Sequence, residues 1–287
     1  MNNFRRSVIQ IIFVISVALP VIAPSAGGAA DCIQIPMVPF VISGPGSYCL
    51  TGDMEKPMQM GTAVTINSDN VLLDLGGYRI DGGDTAKTGQ AFGIYAISRK
   101  NIIIRNGTIR GFMNGITITE GTGTPSQGNV IENIRTEMNW SVGMLVTGRG
   151  NIVRRNQVID IGGSELQLSP GFRNSYGIYA SGPGARILDN DIFDIKEHGG
   201  GEAVGIAVSS DGALVQNNRI GNPLVGGEKK TSGIRVFKSK NVLVINNRVT
   251  GMPQGINFDS KDGKYRDNAT AGVALPYSGG KNIGNNN

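Results

Sequence analysis

Read for hydrophobic and polar positions, the chain is a succession of short apolar runs that end on asparagine. Asn-Val-Leu-Val-Ile-Asn-Asn-Arg-Val-Thr from Asn241, Asn-Ile-Val-Arg-Arg-Asn-Gln-Val-Ile from Asn151 and Ala-Leu-Val-Gln-Asn-Asn-Arg-Ile from Ala213 follow one order. Each has an apolar step, one or two Asn, then x-Val or x-Ile, and further on a Gly-Ile-x-Val or a near relative. Short β-branched runs bounded by Gly and Asn predict strands and turns rather than helices. Gly is 43 of 287 residues, about twice the ordinary share, and falls between the runs.

Aligned on the Asn, the chain repeats. Asn106, Asn133, Asn156, Asn190, Asn218, Asn247 and Asn268 are spaced by 27, 23, 34, 28, 29 and 21 residues. The shortest gaps mark the bare repeat and the longer ones carry inserted loops. A second column keeps step with the first: Gly93, Gly115, Gly143, Gly177, Gly205, Gly233 and Gly255, each opening a Gly-Ile-x-Val-like tetrad. Two columns in step predict a solenoid or a propeller. A propeller blade needs about 40 residues and four strands. These rows hold about three short strands each, the size of one β-helix coil, and coils stack about 4.8 Å apart. Asn tolerates left-handed backbone geometry, and stacked Asn side chains can bond to one another. The Asn column is therefore expected to be a ladder at a repeated corner. Three of these stretches match the glycosylation sequon: Asn106-Gly-Thr, Asn139-Trp-Ser and Asn268-Ala-Thr. As ladder residues Asn106 and Asn268 should point inward, which leaves Asn139 as the acceptor expected to be accessible.

The lines "VISGPGSYCLTGDM", "VTINSDNVLLDLGGYRIDGG" and "NIIIRNGTIRGF" resemble the opening of many exported right-handed parallel β-helix repeat proteins, the superfamily of pectate lyases and their relatives. The resemblance covers residues 40–275. It implies an all-β, single-domain β-helix of about eight coils, with residues 31–62 as an N-terminal cap, coils over 63–275 and a polar, fraying tail over 276–287. Some members of this group act on polysaccharides, some serve in copper-enzyme maturation, and many have no assigned role; the fold by itself selects no activity.

The N-terminus reads as an export signal. Arg5 and Arg6 precede an apolar stretch from Val8 to Ile22, and small residues lead to a cleavage site after Ala30. A membrane anchor is the alternative, but the apolar run is short and broken by Pro20. A soluble secreted or periplasmic protein, with no membrane span after removal of the signal, is the expectation. Losing Arg5 and Arg6 takes the net charge from +5 to about +3. That suits an acidic partner and is too sparse for nucleic acid. In an exported chain Cys32 and Cys49 are expected to pair, with two free thiols as the alternative.

Strand alternation puts the x of each Gly-Ile-x-Val outward. The outward column is Tyr95, Thr117, Leu145, Tyr179, Ala207, Arg235 and Asn257, and two residues on run Ile97, Thr119, Thr147, Ser181, Ser209, Phe237 and Asp259. In polysaccharide-active β-helices the groove along this sheet holds substrate, an implication of the resemblance. The longest insertions, 160–176, 194–204 and 220–232, would wall it. Ala207 between Tyr179 and Arg235 predicts a sugar-sized notch. Arg235 offers a planar fork for a uronate carboxylate, and Tyr179 an apolar face with a polar tip. Asp259, Lys238, Glu202 and His198 lie near enough in the repeat to assist, and Tyr95, Asn257 and Phe237 extend the binding face.

The residue inventory narrows the chemistry. His198 is the one histidine, so a multi-His zinc or copper centre cannot be built from this chain alone. No nucleophile elbow and no phosphate loop occur. The Asn-Thr-Asp and Asp-Asp pairs of galacturonan-cutting β-helix hydrolases are absent, although Gly233 to Lys238 and Glu197-His-Gly-Gly faintly resemble two of their other segments. A lyase or C5-epimerase needs only a cation for the uronate carboxylate and a base for the adjacent proton. Calcium often supplies that charge in the superfamily. The acid-rich runs Asp189 to Asp194 and Asp259 to Asp267 match no defined calcium loop, and the alginate-epimerase signature Asp-Pro-His-Asp is absent. Two readings stand: a lyase or epimerase on an acidic polysaccharide, and a non-catalytic β-helix that binds glycan or protein at the cell envelope.

Overall fold

The computed structural model describes residues 32–83, 89–163, 174–197, 200–222 and 231–287. Every strand pairing among them is parallel, and each strand pairs with its counterpart one repeat away, as a β-helix requires. One sheet of ten strands is built from the Gly-Ile-x-Val segments and their equivalents, from Phe40–Ile42 to Leu275–Ser278. The other two faces of each coil form a continuous sheet of eighteen strands. In two coils a single strand bridges both faces, Ile102–Arg110 and Val130–Glu137. In the coils before and after them it divides in two, as in Val71–Asp74 and Arg79–Asp81 or in Arg186–Leu188 and Asp191–Lys196.

Ten strands in the first sheet mean ten coils, against about eight expected. The two extra coils come from the segments read as cap and tail. Phe40–Ile42 pairs with Thr62–Ile66, so the N-terminal segment already stacks as a coil. There Cys32 and Cys49 are bonded to each other, with Cα atoms 5.8 Å apart. The tail joins the stack. Leu275–Ser278 pairs with Gln254–Phe258, and the Tyr277 ring stacks on Tyr265 at 5.1 Å and 7°. Its polar composition hides that role, because its Asn residues continue the internal ladder.

The core is a file of Ile, Val and Leu stacked on themselves, among them Ile94, Ile116, Ile178, Ile206 and Ile234, none with exposed surface. The glycine before each of these has a steric cause. A Cβ on Gly177 would stand 2.6 Å from the Gly205 carbonyl oxygen and 2.9 Å from Ile192 Cγ2. The chain turns into the sheet where one coil lies almost on the next, and only hydrogen fits.

The asparagine ladder runs through six residues: Asn156, Asn190, Asn218, Asn247, Asn268 and Asn286. Each amide donates to the next side-chain oxygen at 2.9–3.1 Å. Each of the next five oxygens also accepts the preceding Asn backbone N–H, and a second N–H of Asn190, Asn218, Asn247 and Asn268 reaches a carbonyl of an earlier coil. Asn106 and Asn133 are not part of it. In register the buried position of their coils belongs to Gly107 and Ile134. Both residues have left-handed φ, 60° and 52°, like Arg155, Asp189, Asn217, Asn246 and Asp267 further along. The two properties of Asn are therefore divided between adjacent residues: the first takes the left-handed bend, the second fills the ladder. Asn139, expected to be accessible to a glycan, has no exposed surface; its side-chain oxygen accepts the Phe112 N–H at 3.1 Å.

Candidate functional site

The outward column is in register as the repeat predicts: Tyr95, Thr117, Leu145, Tyr179, Ala207, Arg235 and Asn257 are successive cross-strand neighbours. The neighbouring hydroxyls are aligned too. Alternation breaks at the Gly-Ile step. In Ser175–Ser181 both Gly177 and Ile178 are buried, so Tyr176 and Tyr179, three apart, share the outer face. Their rings meet at 5.3 Å and 61°. Phe92 and Tyr95 repeat the arrangement at 5.5 Å. Counting back from Tyr179 in twos passes over Tyr176, which is why period alone does not find it.

A cleft of about 450 Å³ opens beside this pair, lined by Tyr176, Tyr179, Ser209, Phe237, Lys238 and Asp259. Phe237 leans toward Tyr179, with centroids 6.4 Å apart although two coils separate them. Ala207 is fully buried, so the expected notch above it is closed. Arg235 closes it by turning back toward Glu202, at the start of the Ala207 coil. The open space lies a step further along the strands, over Ser209.

Arg235 does not present a free fork. It pairs with Glu202 and also donates through Nε to Asp259 at 3.3 Å, while its guanidinium lies 4.8 Å over the Phe237 ring. Burial pulls the pKa of Arg235 down, but the two carboxylates outweigh it and hold it above its ordinary value. The expected role of Arg235 as clamp for a substrate carboxylate is thus already taken by two carboxylates of the chain. Its guanidinium bridges Glu202 and Asp259. Lys238 is exposed on the cleft wall and makes no ion pair with a described residue.

The wall segments deliver residues that repeat counting did not single out. The Asn174 amide donates to Tyr176 Oη at 3.0 Å, and its oxygen accepts the Glu202 N–H at 2.9 Å. Asn174 thus ties one aromatic of the cleft to the carboxylate that holds Arg235. Burial raises the Tyr176 phenol and the Glu202 charge adds to the rise, which favours the neutral, proton-bearing form. Asn257 bonds to Gln254 at 3.0 Å and lies above Arg235, outside the cleft lining. Tyr95 lies three coils away from Tyr179 and does not line the cleft either. His198 lies outside the described residues.

Among the described residues no group of three or more acidic, His or Cys side chains is placed to hold a metal ion. Each acid of the run from Asp189 has its own partner: Asp189 accepts from Asn217, Asp191 from Arg219, and Asp194 pairs with Lys196.

These features define a parallel β-helix with an aromatic-walled cleft on one outer sheet. The chain belongs to the right-handed beta helix region family, whose model matches residues 62–220. Comparison with curated proteins finds no match. Among solved structures, an alginate lyase from Paenibacillus sp. str. FPU-7 is 14% identical, with a TM-score of 0.42 over 84% of this chain and 92% of that one. The Agl-KA catalytic domain is 12% identical, with a TM-score of 0.31 over 84% of this chain and 62% of that one. An α-1,3-glucanase catalytic domain in complex with nigerose is 11% identical, with a TM-score of 0.29 over 89% and 64%. The chain thus spans under two thirds of the last two domains. No helix among the described residues is long and apolar enough to cross a membrane.

Proposed function

We propose that this is an exported protein that binds a polysaccharide, with one sugar seated in the cleft against Tyr176, Tyr179 and Phe237. The observation that carries this reading is the lining itself. Aromatic faces suit the apolar side of a pyranose, and Ser209, Asp259 and the Tyr tips suit its hydroxyls. Acidic glycan is the favoured class. Lys238 is the cation left for a substrate carboxylate once Arg235 is engaged by Glu202 and Asp259.

Lyase or C5-epimerase chemistry is a second reading, favoured by the same Lys238 beside Tyr179 in one cleft. Lys238 would neutralise the uronate carboxylate and Tyr179 would exchange the proton next to it. Binding without turnover stands ahead of it, because Arg235 is already engaged by Glu202 and Asp259.

Calorimetric titration of residues 31–287 with pectate, alginate and hyaluronan oligosaccharides tests the first reading. Binding that falls at least about tenfold in Tyr179→Ala supports it, and equal binding by the variant removes the cleft from the account. Ultraviolet absorbance of unsaturated uronates and C5 proton exchange, each with and without calcium, test the second.

A further inference from the structure

The eighteen-stranded sheet, away from the cleft, carries two outward columns side by side. Leu72, Ile103, Val130 and Ile152 are cross-strand neighbours in four successive coils. Alternation turns them away from the core, and all four are half-buried. Ser47 precedes this aliphatic run and Arg186 follows it. Two residues on, the same coils carry Asp74, Arg105, Glu132 and Arg154, again in register. The charges alternate in sign. Asp74 pairs with Arg105 at 2.8 Å and Glu132 with Arg154 at 2.7 Å, and Arg155 also reaches Glu132 at 3.3 Å. The Arg105 and Arg154 side chains remain 38% and 40% exposed, so both can still meet a partner.

Reversing the order of the four coils inverts every sign in the charged column and leaves the aliphatic column aliphatic. The face is therefore its own complement. A two-fold axis parallel to the strands, midway between the coils of Arg105 and Glu132, lays one aliphatic column on the other. It sets Asp74 against the partner's Arg154 and Arg105 against the partner's Glu132. Each ion pair within a chain then lies over a pair of opposite order, and four charges alternate around a ring. Outside these coils, Ser47 and Cys49 face the partner's Arg186 and the partner's Leu188, so no like charges meet.

We infer that this face docks a second copy of the chain, antiparallel and face to face. A self-complementary pattern is what a two-fold contact requires of one surface, and a different partner places no such demand on it. Aligned packing of two sheets brings such faces about 10 Å apart, within reach of Arg and Glu side chains. The four coils occupy about 20 Å of the axis. With the flanking coils the contact stays below the roughly 800 Å² per partner of a standard complex, so association is expected near about 0.1 mM rather than at nanomolar concentration. The inference is independent of the cleft, which lies on the other sheet.

Sedimentation velocity of residues 31–287 across a concentration series tests it. Wild type should move from monomer toward dimer as concentration rises through about 0.1 mM. Arg105→Glu and Glu132→Arg each place like charges together twice at the centre of the contact, and each alone should stay monomeric over the same range. Mixed one to one, the two variants have opposite charges at all four facing positions, and the dimer should return. Thermal melts establish that both are folded. If either is not, Ile103→Lys, which puts a charge into the aliphatic column, should be monomeric where wild type is dimeric. A wild type that stays monomeric throughout, or association that runs on past the dimer, overturns the inference. So does a dimer that survives Ile103→Lys or either charge reversal alone, or a mixture of folded variants that remains monomeric.

Discussion

The guanidinium of Arg235 is held by Glu202, a carboxylate carried at the start of the preceding strand of the same sheet. Together with Asp259 this makes a cluster with one excess negative charge at the edge of the cleft. Glu202→Gln should free one arm of the guanidinium and raise affinity for an anionic oligosaccharide severalfold. Arg235→Met should lower it, because two carboxylates are left facing the ligand. Calorimetry on both variants checks the opposite signs; a change in the same direction for both would exclude this arrangement.

Lys238 should carry the salt dependence of glycan binding. An exposed cation interacts with a ligand carboxylate through a screened field. Lys238→Gln is expected to weaken acidic oligosaccharides and to flatten the decline of affinity with ionic strength, while affinity for a neutral oligosaccharide stays within about twofold. Titrations at low and high salt are the measurement.

Within the ladder, Asn218 is 1% exposed and its side chain serves four partners: Asn190, Asn247 and the carbonyls of Ile187 and Gln216. Asn218→Ala strands several of these groups in the core. The cost should be about 2–5 kcal/mol, since each buried group left unpaired costs about 1–3 kcal/mol. Urea denaturation reads it. A loss below about 0.5 kcal/mol would mean that water replaces the amide.

Gly177→Ala should destabilise by more than about 2 kcal/mol, because the added methyl meets backbone of the next coil rather than a side chain that can yield. Gly52→Ala, where nothing lies within 4 Å of the new atom and φ is not in the left-handed region, is the control for the added methyl alone.

Asp74 gives a pH signature. Burial pushes its carboxyl up, but the Gly76 N–H and the side chains of Arg105 and Asn106 outweigh burial and hold it below the ordinary carboxylate value. A lowered folded-state pKa means stability that is present above the unfolded carboxylate pKa and lost as pH falls through the folded one. Asp74→Asn should therefore lower stability near neutral pH and make its decline in acid shallower. Urea midpoints followed from about pH 7 to about pH 3 show whether the two curves converge.

The registration of the outer column was legible because the repeat is a spatial instruction. A residue that recurs at the same place in each coil must lie above its counterpart, so Tyr179, Ala207 and Arg235 had to be neighbours. What they do to one another was not legible. The open notch over Ala207 assumed side chains standing straight out, whereas Arg235 turns back to Glu202, and that carboxylate sits at the mouth of an insertion whose path the repeat does not specify. Asn174 and Tyr176 escaped for related reasons, one at the end of an insertion and the other across a break in alternation.

The Asn residues divide in the same way. Asn in every repeat announced a ladder, and Asn156 through Asn268 form it. Asn106 and Asn133 sit one residue early, because a sequence shows only that an Asn is near the corner, not whether it takes the left-handed bend or the buried slot after it. By itself the sequence determined the stacked coil, the core file of Ile and Val and the face that looks outward, all of which follow from a period repeated along one axis. Only the tertiary structure decided the phase of each coil at its Gly-Ile step, the pairing of Arg235 and the place of the open cleft. Those depend on which side chains from different coils reach one another in space, and the repeat period carries no record of that.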